Sequence, residues 1–339
     1  PRSTLFPYTT LFRSNAVAIA LGCQVVVSQH VGDLDTPEAR AAFERAIEDL
    51  CRLHRFQPEI VACDLHPDYA STRWARASGL PVVPVQHHHA HAAACAAEND
   101  VRGEYLGVSW DGTGYGLDDT VWGGEFFLVA GGEFERVAHL RCFRLPGGEA
   151  AVREGWRAAA GLLWEIGEEL DARQRTVAPL LERRLNAPLT SSAGRLFDAV
   201  AALTGVAAAS RFEGQAAMLL ESAIGDLTTD DAYPLSGGDW EPLVRAVLAD
   251  VRAGAPVALV AARFHNALAN WIVEEAARAG ARQVILSGGV FQNRYLCERA
   301  AGLLETRGFR IFTHQRIPPN DGGIALGQAV LAGRPGRYS

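Results

Sequence analysis

The sequence predicts an α/β protein with a largely parallel sheet, covered by helices and arranged in two lobes. Between residues 16 and 98, short apolar runs alternate with helical stretches, which is typical of a parallel sheet with helical crossovers. A glycine-rich turn follows a short apolar run in each half of the chain, at 111–116 and at 287–289. No repeat period is visible, but two βα-rich halves joined by helices fit a duplicated, two-lobed fold.

The composition of the 339 residues argues against several classes of protein. The net charge of −7, from 32 basic and 39 acidic residues, disfavours a nucleic-acid partner, because phosphate-binding surfaces are basic. Six cysteines are scattered without a C-x-x-C pair, which indicates a reducing compartment and a cytoplasmic location. No apolar run reaches about 18 residues, so no membrane-spanning helix is predicted.

Residues 1–14 are predicted to be non-native. The stretch STLFPYTTLFRS has neither the apolar core of a signal peptide nor a helical period, and it is similar to the translation of a common sequencing adapter. We therefore place the native chain from about Asn15 onward and expect that a native N-terminal portion is missing.

The first half contains most of the predicted strands. Thr36, Pro37 and Glu38 form a helix start, with a capping residue, a proline at the first position and an early acid. A buried strand at 59–63 ends in the polar stretch 64–69, where α/β folds place ligand contacts. The predicted elements are a hairpin (16–21 and 24–28), a helix (37–54), strands (59–63, 82–85 and 105–110) and antiparallel strands (121–129 and 134–140).

A histidine-rich helix is predicted after the strand 82–85. His87 and His91 stand one turn apart on the same face, a spacing that lets two imidazoles reach one metal ion. His88 and His91, three positions apart, form a rival pair that spacing alone does not exclude. A solvated histidine cluster, or histidines packed against a strand, are the alternatives.

The run Asp111-Gly112-Thr113-Gly114-Tyr115-Gly116 follows a predicted strand. Its glycines allow the backbone to approach a phosphate closely, with N–H groups turned inward. Asp111 at the strand end could hold a metal ion or position a water molecule. The alternative is a tight hairpin turn, which the Asp-Gly pair also favours.

The second half is predicted to be mainly helical. Asp198 and Glu213 lie near helix starts and could contact a ribose or a metal-bound water, although exposed helix faces are the more common location for such acids. Gly288 and Gly289 lie between a strand and a helix start, a suitable place for a nucleotide. Asp321 lies at a strand-to-helix turn. The predicted elements are helical regions (149–185 and 257–280), helix starts (191–200 and 210–215), a surface loop (227–240) and strands (283–286 and 309–313).

Seven motifs together resemble one family, the HypF carbamoyltransferases of NiFe-hydrogenase maturation, in their C-terminal, Kae1-like domain. The resemblance extends from Val27 to the end of the chain. It implies the two-lobed actin/hexokinase/Hsp70-like ATPase fold, a duplicated ribonuclease H-like architecture. The motifs are DLHPDYASTRWA (64–75), VQHHHAHAAACAAE (85–98), SWDGTGYGLDDTVWGGEF (109–126), SSAGRLFDAVAAL (191–203), SRFEGQAAMLLE (210–221), SGGVFQNRYL (287–296) and PPNDGGIALGQA (318–329).

The resemblance implies a role for individual residues. It makes His87, His91, Asp111 and Asp321 ligands of zinc or iron, which favours His87 over His88. It also makes His87, His91 and Asp111 catalytic. ATP, AMP or carbamoyl adenylate would lie against glycine-rich segments, with Asp198 near the ribose and Asn293 near the base. The residues implied for these segments are Gly112, Thr113, Gly114, Gly116, Gly288 and Gly289.

The resemblance also implies a reaction and a partner. The domain would pass a carbamoyl group from carbamoyl adenylate to the C-terminal cysteine of a HypE-like protein, for synthesis of the cyanide ligands of the hydrogenase. The acylphosphatase-like, zinc-finger and YrdC-like domains of full-length members are absent from this sequence, and the first strand of the domain is expected to be lost. We expect an N-terminal lobe at 15–130 and a helical insert with a C-terminal lobe at 131–339.

Two alternatives remain at this point. One is an enzyme similar to the tRNA threonylcarbamoyl transferases, against which stand the acidic net charge and the Asp111-Gly-Thr-Gly run. The other is a truncated, non-catalytic module that docks the partner, because a missing strand would expose a sheet edge.

Overall fold

The structure, a computed structural model, describes residues 16–333. The segment predicted to be non-native, residues 1–14, lies outside the described residues. The predicted α/β class is confirmed, with a central sheet that is mixed rather than largely parallel. Among the described residues, no helix has the length and apolar character needed to cross a bilayer.

The strands and helices follow one another along the chain as short units. The strands are β1 (Ala18–Leu21), β2 (Gln24–Val27), β3 (Val61–Asp64), β4 (Val82–Val85), β5 (Tyr105–Tyr115), β6 (Val121–Ala130), β7 (Glu133–His139), β8 (Phe143–Arg144), β9 (Leu189–Thr190), β10 (Gln283–Ser287) and β11 (Arg310–Phe312). The helices are α1 (Pro37–His54), α2 (Ala70–Ala77), α3 (His87–Glu98), α4 (Ala150–Arg153), α5 (Gly155–Glu165), α6 (Ala178–Arg183), α7 (Ala193–Leu203), α8 (Gln215–Ser222), α9 (Glu241–Arg252), α10 (Val257–Ala279), α11 (Arg294–Thr306) and α12 (Ile324–Ala332).

The central sheet has seven strands, six of them in the order β11-β10-β5-β6-β9-β8, and the seventh, β7, pairs with the Glu125–Ala130 part of β6. Strands β11, β10 and β5 are parallel to one another, whereas β5, β6 and β7 form antiparallel hairpins. The turns at 116–120 and 131–132 are too short for a crossover, so they force the antiparallel pairing. The predicted boundary after residue 130 falls at the end of β6, and the sheet continues across it into β7.

The N-terminal strands form two separate pairs among the described residues. β1 and β2 are the predicted antiparallel hairpin, and β3 and β4 are parallel. Helix α12 contacts all four strands. Helix α1 begins and ends as predicted, and Thr36 caps it by accepting the backbone N–H of Ala39.

The predicted helical region 149–185 is broken into several pieces. Glu154 has a non-helical backbone between α4 and α5, and Gly167, with φ of +70°, follows the end of α5. A 3₁₀ turn at Gln174–Val177 then precedes α6. The short strands β8 and β9 and the helix α9 were not predicted. Trp240, at the end of the predicted surface loop, is fully buried.

The main core lies directly beneath the end of the central sheet that carries Asp111. The ring of Trp110 stacks on Trp271 with centroids 5.2 Å apart and on Phe291 at 5.7 Å, and the ring of Phe126 packs edge-on against Trp271. All of these side chains are buried. Since burial of such rings stabilises a core strongly, the strand position next to Trp110 is rigidly placed.

Candidate metal and nucleotide site

Helix α3 begins at His87 because the residue before it acts as a cap. The backbone of Gln86 is extended, and its side-chain oxygen accepts the N–H of His89 at 2.8 Å. The body of α3 is buried against α12, where a Cβ on Gly327 would come within 1.9 Å of the carbonyl oxygen of Ala90. This close approach fixes α3 against the segment that carries Asp321.

Two histidines of α3 meet two aspartates from distant parts of the chain. Asp111 lies within β5, and Asp321 opens a 3₁₀ turn before α12. The Nε2 atom of His87 lies 3.3 Å from Asp111 Oδ2 and 3.4 Å from Asp321 Oδ1. The Nε2 atom of His91 lies 3.3 Å from each of these two oxygens. The structure thus brings together the four residues implied as metal ligands.

The donor set fits a small divalent cation. Four ligands at about 2.0–2.1 Å from a tetrahedral ion stand about 3.3–3.4 Å from one another. The four nitrogen-to-oxygen distances in the cluster have these values, and all four donor atoms lie within 4.8 Å of one another. Two imidazoles with two carboxylates are a donor set that zinc and iron accept.

The electrostatics of the cluster keep both carboxylates ionised. Burial opposes ionisation of Asp111, but hydrogen bonds from His87 and His91 outweigh it and hold the pKa of Asp111 well below its usual range. Burial likewise opposes ionisation of Asp321, yet the charge of His87 keeps the pKa of Asp321 low. The pKa of His87 is raised well above its usual value, because the surrounding carboxylates outweigh burial.

A third carboxylate orients His87 from behind. Asp64 Oδ2 lies 2.8 Å from His87 Nδ1, on the side of the ring opposite the cluster. Asp64 is buried at the end of β3. Metal-binding histidines commonly donate their second N–H to such a carboxylate, which fixes the ring and its tautomer. The sequence placed Asp64 among polar residues at a strand end but did not connect it to His87.

His88 points away from the cluster. Its ring lies beside Gly114, where a Cβ would come within 2.3 Å of His88 Cε1, and 6.3 Å from the ring of Trp122. Burial, with repulsion from His87, holds the pKa of His88 well below its usual value. Of the two pairs that the spacing left open, the structure forms His87 with His91.

A cavity of about 810 Å³ opens beside the metal cluster. Asp111 and Asp321 form part of its wall, next to Gly112 and Gly289. A Cβ on Gly289 would come within 2.8 Å of the Asp111 carboxylate, so the wall has no room for a side chain there. Asp198 and Asn293 also line this cavity.

Four predicted nucleotide-binding residues lie elsewhere. Instead of a loop, 111–115 form the irregular end of β5, which pairs with β6 across a register shift between Trp110 and Gly114. Gly114 lies under the histidine rings, and Gly116 lies against the ring of Trp122. Thr113 and Gly288 likewise do not line the cavity, which in the described part of the chain takes only Gly112 and Gly289 from the two glycine segments.

Arg195 is a residue of the cavity wall that the sequence did not single out. It is almost fully buried on α7 and forms an ion pair with Asp198 at 2.9 Å. Its Nε and Nη1 atoms have no hydrogen-bond partner among the described residues. Burial raises the pKa of Asp198 to about 6 even though Arg195 opposes the shift. A buried guanidinium with unused donors is suited to an anionic ligand.

The amide of Asn293 takes part in two structural hydrogen bonds. Its oxygen accepts the N–H of Leu296, which caps α11, and its nitrogen lies 2.8 Å from His265 Nε2. His265 Nδ1 lies 2.7 Å from the carbonyl oxygen of Ala261, so the ring is neutral with its proton on Nδ1. Asn293 therefore positions α11 as well as lining the cavity.

Comparison with known proteins identifies similar families and folds. A family model described as carbamoyltransferase, Kae1-like domain, second subdomain matches residues 107–328. Another, described as HypF Kae1-like domain, matches residues 12–98. The crystal structure of full-length HypF in its phosphate- and nucleotide-bound form superposes with a TM-score of 0.90 at 39% identity, covering 95% of this chain and 54% of that chain.

Two relatives differ greatly in how much of them this chain covers. Carbamoyltransferase HypF of Synechocystis sp. is 40% identical over 93% of this chain, which spans 45% of that protein. The carbamoyltransferase HypF homolog of Cupriavidus necator is 38% identical over 94% of this chain, which spans 89% of that protein. The chain thus covers less than half of the first relative and most of the second.

Proposed function

The chain belongs to the HypF carbamoyltransferase family, and from this membership we propose that it transfers a carbamoyl group from carbamoyl adenylate to the C-terminal cysteine of a HypE-like partner. The product thiocarbamate would serve cyanide-ligand synthesis in NiFe-hydrogenase maturation. The observation that carries the proposal is the direct opening of the His87–His91–Asp111–Asp321 cluster into a cavity that also presents Arg195. A metal ligand set and a buried cation side by side suit an acyl phosphate.

His87, His91, Asp111 and Asp321 would hold the zinc or iron ion. When bound, such an ion supplies Lewis acidity toward an acyl-phosphate oxygen. Asp64 keeps the Nε2 atom of His87 directed at the cluster. These residues therefore define where the phosphate end of the adenylate lies.

The cavity residues would position the nucleotide. Gly112 and Gly289 leave space beside Asp111 for a phosphate, and the unused donors of Arg195 would neutralise it. In the transfer, a C–S bond forms to the partner's thiolate, the bond from the acyl carbon to the phosphate oxygen breaks, and AMP leaves with the electron pair. The thiol proton is lost to solvent before attack.

Five of the chain's six cysteines are poorly suited to be that nucleophile because burial raises the pKa of each, and the exposed Cys23 does not line the cavity. Burial raises the pKa of Cys142 to about 11 and raises the pKa of Cys95, Cys63 and Cys297 as well. All six are free thiols, which fits a reducing cytoplasm. A partner cysteine with an exposed thiol is the better candidate, and a YrdC-like activity in trans would supply the adenylate.

Mass spectrometry of the partner tests the proposal. The chain is incubated with preformed carbamoyl adenylate and a HypE-like protein, and with the same protein lacking its terminal cysteine. We expect carbamoylation only where the cysteine is present, loss of product with Asp111→Asn, and normal product with Asp49→Asn. Asp49 is an exposed residue of α1 that pairs only with Arg52 among the described residues, so this variant is a matched control.

The other outcomes discriminate between functions. Carbamoylation of a tRNA nucleoside in place of the partner would support an enzyme similar to the threonylcarbamoyl transferases. Binding of the partner without product, in a chain that holds both metal and AMP, would support a docking module. Either result overturns the proposed transfer.

A further inference from the structure

A second group of metal-binding side chains lies at the C-terminal end of α3. Cys95 and Glu98 are three positions apart near the end of this helix, so they share one of its faces. His314 reaches them from the segment that follows β11. Each of the three side chains offers one ligand atom, and these atoms lie within 4.8 Å of one another. We call this group the cysteine cluster.

The cysteine cluster is separate from the His87–His91–Asp111–Asp321 cluster. Glu98 follows His91 by seven positions, which is about 10 Å along a helix. The two groups share no residue, and only the cysteine cluster contains sulfur. None of its three residues lines the cavity beside the first cluster.

The ligand atoms of the cysteine cluster are withdrawn from solvent. Cys95 is fully buried, and the side chains of His314 and Glu98 are 4% and 2% exposed. His314 Nδ1 lies 2.6 Å from Glu98 Oε1, yet neither atom makes a well-formed hydrogen bond among the described residues. A buried polar atom without a hydrogen bond is costly, and a bound ion is one way in which proteins satisfy it.

The hydrogen bonds of Ser287 direct the lone pair of His314 toward Glu98. Ser287 Oγ lies 2.9 Å from the carbonyl oxygen of His91, and because a carbonyl can only accept, the hydroxyl proton is donated there. The same hydroxyl oxygen therefore accepts the N–H of His314 Nε2, 2.8 Å away. A neutral ring with its proton on Nε2 has its lone pair on Nδ1. Two acceptors then face each other across 2.6 Å, and a cation between them removes the conflict.

The other oxygen of Glu98 is already occupied. Its Oε2 atom accepts the backbone N–H groups of Gln315, Arg316 and Ile317 at 3.3, 2.9 and 3.3 Å. These three bonds hold the carboxylate in place at the end of α3. They leave the Oε1 atom for a ligand.

The sulfur of Cys95 has one polar contact that favours its thiolate form. The amide of Asn99 donates to Cys95 Sγ at 3.6 Å. Burial nevertheless raises the pKa of this thiol by more than the contact lowers it. The thiol proton therefore leaves when a metal ion replaces it, because a coordinating thiol is deprotonated.

We propose that Cys95, Glu98 and His314 bind a second divalent metal ion, for which zinc is the best match. Zinc accepts sulfur, nitrogen and carboxylate oxygen in one site, and three protein ligands leave its fourth position open. A thiolate, a carboxylate and a neutral imidazole together carry two negative charges, so a divalent ion makes the buried site neutral. The separation of His314 Nδ1 from Glu98 Oε1 would widen to about 3.3 Å, as for two ligands of a tetrahedral ion.

An ion at the cysteine cluster would connect the two segments that carry the first cluster. Helix α3 carries His87 and His91, and the segment after His314 leads to Asp321. The second ion would fix the end of α3 to this segment. Its role would be structural, without contact to a substrate.

Cobalt substitution of the full chain tests the proposal. The chain is freed of metal with a chelator and loaded with Co²⁺, which accepts the same ligand types as zinc. Sulfur bound to cobalt gives a charge-transfer band in the near ultraviolet, which the nitrogen and oxygen ligands of the first cluster cannot produce. We expect this band, together with a second bound ion per chain by plasma mass spectrometry. If the folded chain at saturating Co²⁺ lacked the band, His314 and Glu98 would form a simple ion pair, and the proposal would be wrong.

Matched variants locate the ion. Cys95→Ala removes the sulfur ligand, whereas Cys142→Ala removes a half-buried thiol that belongs to neither cluster. We expect the first variant to lose the band and one bound ion, and the second to keep both. Asp111→Asn alters only the first cluster, so it should keep the band.

His314→Gln provides a test that leaves the sulfur in place. We expect it to weaken Co²⁺ binding at the band-forming site by at least about tenfold, with the circular dichroism unchanged. A band that persists in Cys95→Ala, or an unchanged affinity in His314→Gln, would contradict this ligand set.

Discussion

The Nδ1 atom of His87 lies 2.8 Å from Asp64 Oδ2, while its Nε2 atom faces Asp111 and Asp321 at 3.3 and 3.4 Å. The imidazole thus lies between two kinds of carboxylate. Asp64 fixes its orientation, and Asp111 and Asp321 would bind the same metal ion as its Nε2 atom. Because Asp64 ends β3 and His87 begins α3, the contact joins the N-terminal strand pair to the metal cluster.

Substitution of Asp64 tests whether this contact tunes the metal site. Loss of a partner behind a ligating histidine typically lowers metal affinity by about 10–100-fold. We therefore expect Asp64→Asn to weaken zinc binding by that order in competition titrations with a chelating dye, with the helical circular dichroism unchanged. Asp68→Asn, at an exposed position four residues later, serves as the control. Equal affinities of the two variants would show that Asp64 has no role in metal binding.

The ion pair of Arg195 with Asp198 makes anion binding depend on pH. The pKa of Asp198 is raised to about 6, chiefly by burial, so below pH 6 the carboxyl is protonated and the charge of Arg195 is uncompensated. Above pH 6 the carboxylate ionises beside the cavity and opposes an anionic ligand. We expect AMP affinity, relative to that of Asp198→Asn, to fall as the pH rises through 6.

Comparison with the variant removes the contribution of the phosphate's own protonation, which is common to both proteins. Isothermal titration calorimetry at several values between pH 5 and pH 8 gives the ratio of the two affinities. A ratio that does not change with pH would mean that Asp198 does not titrate in this range. Loss of AMP binding in Arg195→Gln at every pH would independently support the contact with the guanidinium.

Short sequence patterns predict the features that depend on a few neighbouring residues, such as histidine spacing along a helix and helix capping. The helical repeat offers both His87 with His91 and His88 with His91, and only the family resemblance favours the first pair, whereas the start of α1 needs only the capping oxygen of Thr36. The burial of Asp198 does not follow from its position in the sequence, because an acid near a helix start is usually exposed. Its burial depends on α7 facing the cavity, which no short pattern records.

The parts that were not predicted depend on contacts between distant segments. Asp64 meets His87 across 23 positions of the chain, and Arg195 reaches the cavity only because α7 packs beside β5. The run 112–116 was predicted as a phosphate loop, but β6 pairs with Gly114 and Tyr115 and draws them into the sheet. Pairing of this kind overrides the turn preference of an Asp-Gly sequence.

His265 should make the fold less stable in acid. Burial lowers the pKa of His265 to about 4, from 6.5 in an unfolded chain, so between these values the unfolded state binds the extra proton. The contribution of His265 to the free energy of unfolding is therefore fully present above pH 6.5 and is lost as the pH falls toward 4. The total loss is roughly 3 kcal/mol, at 1.36 kcal/mol per pH unit. Urea unfolding at pH 7 and at pH 4.5 should show a smaller difference for His265→Gln. An identical pH dependence in the variant would assign the acid sensitivity to other groups.

The contact between α12 and α3 should couple core packing to metal binding. A Cβ on Gly327 would come within 1.9 Å of the carbonyl oxygen of Ala90. Gly327→Ala must therefore separate α12, which follows Asp321, from α3, which carries His87 and His91. We expect a lower melting temperature and a reduced metal content by plasma mass spectrometry. Gly302→Ala is the matched control, because a Cβ there meets nothing within 4 Å inside α11, and replacing a helical glycine by alanine stabilises by about 0.5–1 kcal/mol. If Gly327→Ala retained full metal content while losing stability, the position of α3 relative to Asp321 would not depend on this contact.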